Sequence, residues 1–149
     1  MHRGSGSVGI RVVAPAREDP LAEGNAGSVA LSLGRPPWTL LVLGDLDGAA
    51  LSRTIESGAI GPTSALILAH HGSRRGTTEA LLGQVVPDLA LVSCGWRNRF
   101  GHPHPEALKP LSTLGVPLWR TDHHGNIRLR ATGRGWSVTV NPRTSPGTR

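Results

Sequence analysis

The chain has 149 residues, 38% hydrophobic and 17% charged, with a formal net charge of +6. That length supports one domain with one core. No run of about 18 apolar residues exists to make a membrane-spanning helix, and the opening Met-His-Arg-Gly-Ser-Gly-Ser lacks the apolar stretch of a signal peptide. The single cysteine, Cys94, excludes an internal disulfide and a cysteine-based zinc site. Lys109 is the one lysine and the other basic residues are dispersed arginines, so the charge alone does not argue for a polyanionic partner.

In chain order, residues 1 to 7 read as a flexible lead. Val8 to Ala14 is a strand stopped by Pro15, which has no amide to donate. Residues 17 to 27, rich in acid, Gly and Pro, form a loop. Val29, Leu31 and Leu33 alternate with small or polar residues, giving a strand over 28 to 33 with one apolar face. Gly34-Arg-Pro-Pro37 turns into a strand over 38 to 44, antiparallel to the first because the link is so short. A helix runs from Asp47 to a stop at Gly58, followed by a strand over 65 to 69. Then come a short helix over 77 to 82 with Gly83 as its stop, and a strand over 88 to 93. Pro105 opens a helix that Gly115 ends, and 116 to 120 is a strand. Thr121 to Asn126 is a turn, Ile127 to Ala131 and Trp136 to Val140 a closing hairpin, and 141 to 149 a tail. The alternation predicts an α/β fold, a mixed sheet with flanking helices.

Two apolar runs carry the functional argument. Leu40-Leu41-Val42-Leu43 ends in Gly44-Asp45, and Ala65-Leu66-Ile67-Leu68-Ala69 ends in His70-His71-Gly72-Ser73. Buried strands ending in polar groups deliver them to the carboxyl edge of an open sheet, where such sheets bind ligands. Asp45 with His70 and His71 offers oxygen and nitrogen donors suited to zinc or manganese. The competing account makes Asp45 the N-cap of the next helix and the histidines structural. Arg74 and Arg75 follow the histidines directly and are placed to meet a phosphate. A third polar concentration, Gly95 to Pro105, supplies Asn98, His102 and His104. Cys94 reads as a small buried residue in preference to a catalytic thiol.

Asn25-Ala-Gly-Ser28, Leu-Val-Leu-Gly-Asp45, His70-His-Gly-Ser73, Ser93-Cys-Gly-Trp-Arg-Asn-Arg-Phe-Gly-His-Pro-His104 and Arg120-Thr-Asp122 with Gly125 occur in one order. Together they resemble the metallo-β-lactamase-like domain of the competence DNA-uptake channel family ComEC, from about Gly9 to Val140. The resemblance implies an αββα fold, of which residues 8 to 140 form the C-terminal half, and a site holding two divalent ions, zinc or manganese. Asp45 matches the carboxylate bridging the two, and His70 or His71 the late histidine ligand. Ser73, Arg74, Arg75, Asn98, His102 and His104 fall where substrate would lie.

The His-x-His-x-Asp-His motif that supplies most ligands in that fold is absent, as are the channel segments. The expectation is therefore a part of a hydrolase domain whose partner half lies elsewhere, inactive and poorly stable by itself. Within the parent, the implied reaction is metal-dependent phosphodiester hydrolysis of single-stranded DNA during uptake, extracytoplasmic on a cell-membrane protein. Two other readings stand beside it: a phosphodiesterase of the same fold acting on a small substrate, and a non-catalytic remnant or basic nucleic-acid-binding piece.

Overall fold

Six strands join in sequence order into one mixed sheet: β1 (Ile10–Ala14), β2 (Ala30–Arg35), β3 (Trp38–Val42), β4 (Ala65–Ile67), β5 (Leu89–Val92) and β6 (Leu118–Arg120). The structure, a computed structural model, describes residues 8–16 and 23–142. The expected lead, residues 17–22 of the expected loop and residues 143–149 of the tail lie outside it. The first three strands are antiparallel, and Arg35 pairs with Trp38 across the short turn between β2 and β3. From β3 onward the pairing is parallel, with Leu41 beside Leu66 and Leu66 beside Ala90. Parallel neighbours need crossovers. These are α1 (Gly48–Glu56), α2 (Glu79–Val85) and α3 (Pro105–Thr113).

The period-two pattern of the strands sorts their side chains onto two faces. Leu41, Leu43, Leu66, Leu68, Ala90 and Val92 meet Leu51 of α1, Leu81, Leu82 and Val85 of α2 and Leu111 of α3 in the main core. Leu40, Ala65, Ile67, Leu89, Leu91 and Trp119 point the other way. A separate hairpin, β7 (Asn126–Thr132) with β8 (Gly135–Asn141), covers them with Ile127, Leu129, Trp136 and Val138. Trp136 Nε1 donates to Ser64 Oγ at 2.9 Å, which anchors the hairpin to the sheet. Among the described residues no helix is long and apolar enough to cross a membrane.

The mixed α/β architecture and the antiparallel β2–β3 pair agree with the sequence reading. One helix boundary differs. Gly83 does not stop α2; the helix starts after Thr78, whose hydroxyl accepts from Leu81 N, and continues to Val85. Val85 is fully buried, and burying such a side chain gains roughly 1.5–3 kcal/mol, more than the roughly 1 kcal/mol that a helical glycine costs. The turn after β6 winds into a single helical turn, α4 (Thr121–His124).

Candidate functional site

Every chemically interesting segment follows a strand of the parallel half. Asp45 comes after β3, His70 and His71 after β4, the loop Ser93 to His104 after β5, and α4 after β6. These groups therefore gather at the carboxyl edge of the sheet. The first two turns are tied together, because His70 N donates to Gly44 O at 2.8 Å.

The histidine turn is strained. His70 (φ 46°, ψ 48°) and His71 (φ 55°, ψ 24°) are both left-handed, a conformation that costs non-glycine residues about 1–2 kcal/mol each. Two such residues in succession persist where surrounding contacts hold them, as commonly happens at functional sites. The turn sends the two rings to different partners. His71 Nδ1 donates to the Ser93 carbonyl at 2.7 Å, which leaves Nε2 as the nitrogen free to ligate when the ring is neutral, and that nitrogen lies 3.7 Å from Asp45 Oδ1. His70 Nδ1 instead meets Asp47 Oδ2 at 2.9 Å, with the Asn25 amide 3.4 Å away.

The 3.7 Å gap between His71 and Asp45 is too long for a hydrogen bond. An ion bonded at about 2.0–2.2 Å to both atoms would span it. A ligating imidazole whose other nitrogen is fixed by a carbonyl is also the usual arrangement at metal centres. The donor chemistry thus fits a divalent ion, though incompletely. Among the described residues no group of three or more His, Cys, Asp or Glu side chains is poised to hold one.

Asp45 is not the helix cap. The N-cap of α1 is Asp47, whose carboxylate makes no capping hydrogen bond and takes His70 instead. Ser73 is buried beneath the turn with its hydroxyl unpartnered. Arg74 donates to His104 Nε2 at 3.3 Å and lies 3.7 Å from Glu106, which also accepts from His104 Nδ1. Arg75 lays its guanidinium by Gly48 at the start of α1. The Asn98 amide closes its own loop, donating to the carbonyls of Gly95 and His102 and accepting from His102 N at 2.9 Å. His102 shares an open cleft with His71, Ser93 and Phe100. Burial, with His70, His71 and His104 nearby, lowers its pKa, so the ring is neutral at pH 7.

Behind this edge stands a latch from β6 and α4. The Thr121 hydroxyl accepts from Cys94 N and donates to Cys94 O, both at 2.8 Å. Arg120 grips Asp122 at 2.7 and 3.1 Å, and Cys94 Sγ donates to Asp122 Oδ1 at 3.1 Å. The latch holds the chain next to Ser93, whose carbonyl orients His71. The Arg120 guanidinium draws the Asp122 pKa down to about 2. Burial and the Asp122 carboxylate push the Cys94 thiol up to about 11. Asp47, Thr121 and the Ser93 carbonyl were not among the sequence candidates. Gly-Asp-x-Asp was a usable sign of the first, whereas a backbone carbonyl leaves none.

No family model matches the chain. It is 30% identical over 134 residues, 89% of its own length, to ComE operon protein 3 of Bacillus subtilis strain 168. It is 33% identical over 97 residues to competence protein ComA of Neisseria gonorrhoeae, and 32% over 91 residues to recombination protein 2 of Haemophilus influenzae. Over most of its length the chain is thus similar to proteins of the ComEC family. It spans 17%, 14% and 11% of the lengths of these three relatives. Asp45, the histidine pair and the Gly95 to His104 loop of this chain converge on one sheet edge.

Proposed function

We propose that this edge is part of a divalent-metal phosphodiesterase site that acts on single-stranded DNA in competence uptake, within a membrane-embedded parent protein. The observation that carries the reading is the His71–Asp45 pair, its Nε2 and carboxylate oxygen 3.7 Å apart with His71 already oriented by Ser93. The name of the Neisseria gonorrhoeae relative, a competence protein, supports the biological setting. The metallo-β-lactamase resemblance of the motifs supports the reaction class.

Asp45 Oδ1 and His71 Nε2 would hold the ion. His71, not His70, is the ligand in this reading, because Asp47 engages His70. Two donors fall short of the three a catalytic centre needs, so further ligands come from outside the described residues. A bound divalent ion supplies Lewis-acid polarisation of a phosphoryl oxygen and a water acidic enough to attack near neutral pH. The chain's own residues do the rest. His102, neutral and in the same cleft as His71, hydrogen-bonds a phosphate oxygen. Arg74, beside His104, adds positive charge along the backbone. Asn98 fixes the loop that carries His102.

Elemental analysis tests the reading, on this chain and on a longer protein that includes the His-x-His-x-Asp-His half. Zinc or manganese bound by the longer protein should fall in Asp45→Ala and His71→Ala and remain in His70→Ala. Metal bound by neither form, or lost equally from all three variants, overturns it. A metal-loaded protein that hydrolyses a small phosphodiester and leaves single-stranded DNA intact would keep the metal and reject the substrate.

A further inference from the structure

The loop between β5 and α3 exposes two large aromatic rings, Trp96 at 56% and Phe100 at 65%. An arginine rides on each. The Arg97 guanidinium carbon is 4.3 Å from the Trp96 ring centroid, and that of Arg99 is 5.0 Å from the Phe100 centroid. The loop is tied end to end, because Asn98 at its middle bonds both Gly95 and His102. Phe100 also borders the cleft of about 430 Å³ that contains His71 and His102, and its ring lies 6.0 Å from that of His102.

We propose that Trp96 and Phe100 form a stacking platform for unpaired bases of a single-stranded nucleic acid, with Arg97 and Arg99 balancing its phosphates. The chemistry selects this occupant. Exposed aromatic faces interleaved with arginine suit a polyanion that carries free π-faces, and every base has one. A duplex hides those faces in its own stack, and a small phosphoester has no second base to reach both rings. The sequence reading placed Asn98, His102 and His104 where substrate would lie; the rings beside them supply a separate, base-directed subsite. It rests on the phosphodiesterase reading for where the strand leads, and not for whether bases bind.

The test is fluorescence anisotropy of labelled twelve-residue oligothymidylate with this chain in EDTA, so that no metal takes part. Trp96→Leu and Phe100→Leu keep apolar bulk and remove the ring. Each should weaken binding by roughly tenfold, since stacking of one base is worth about 1–3 kcal/mol. Trp96→Phe should restore most of the loss. Arg97→Gln with Arg99→Gln should flatten the dependence on salt by about two charges. Wild-type-like affinity in both leucine variants, checked as folded by circular dichroism, overturns the proposal, as does equal affinity for a duplex of the same length. Elemental analysis of the longer protein keeps the two readings apart. Ring-dependent binding alongside a longer protein that takes up no metal supports the platform and defeats only the phosphodiesterase reading.

Discussion

Gly72 and Pro103 meet so closely that a Cβ built on Gly72 would lie 2.5 Å from the Pro103 Cβ and 3.1 Å from its Cα. The contact joins the histidine turn to the loop after β5, and His104 N donates to Gly72 O at 2.8 Å beside it. Gly72 also has φ of +77°, where a side chain is strained. Gly72→Ala should therefore cost about 3 kcal/mol, from overpacking and backbone strain together. It should push His71 away from His102. Urea unfolding checks the first, and loss of oligothymidylate affinity in the folded fraction checks the second. Gly83→Ala is the contrast. That glycine sits exposed inside α2 with open space around it, so the change should add about 0.5–1 kcal/mol. Equal effects at the two positions would show that the Gly72 contact carries no weight.

The β6 latch makes two statements about pH. The Asp122 carboxyl titrates at about 2 in the folded protein and near 4 when unfolded. Its contribution is thus complete above about pH 4 and disappears as pH falls toward 2. The Cys94 thiol has the opposite sign. It titrates at about 11 folded, raised from 9.0, so stability should fall as pH rises between those values. Asp122→Asn should cost about 2 kcal/mol at neutral pH, the worth of charge-assisted hydrogen bonds, and should flatten the acid limb. Chemical denaturation from pH 2 to 7 reads it. Alkylation of Cys94 should be slow at pH 8 and climb toward pH 11, and the climb should move to lower pH in Asp122→Asn. A thiol that reacts fully at pH 8 in the wild type would contradict the latch.

How much of this was legible in the sequence depends on the range of the interaction. Apolar runs closed by Gly or Pro marked β3, β4 and β5 to within two residues, because buried parallel strands have no polar side to confuse the pattern. The short Gly34–Pro37 link dictated the antiparallel β2–β3 pair. Gly83 misled because local helix propensity was outweighed by the burial of Val85, a tertiary effect. Adjacent histidines could not be ranked from their order. Their ranking comes from two left-handed residues in succession and from Asp47 and Ser93, which are 23 and 22 positions away. Arg120-Thr-Asp122 stood out in the sequence as a motif but not as a latch, because its target, Cys94, lies 27 and 28 residues back from Thr121 and Asp122 and carries no sign of the pairing.

The edge of the sheet at β1 makes the last expectation. Among the described residues β1 pairs only with β2. Ile10 and Val12 project from it on one face at 71% and 59% exposure, with Val8 at 71% just before them. Arg11, the charge that could guard this edge, is folded back to donate to Ala59 O at 2.8 Å. Exposed strand edges with adjacent apolar side chains invite pairing with another chain. This chain should therefore self-associate as its concentration rises. Burying each of the two side chains gains roughly 1.5–3 kcal/mol, so Ile10→Lys with Val12→Lys should weaken association by at least about tenfold. The substitutions should barely alter folding, since both residues are already exposed. Sedimentation velocity over a range of concentrations decides it. A wild type that stays monomeric throughout, or an association that the two lysines leave unchanged, would show that β1 is protected by a contact other than its own side chains.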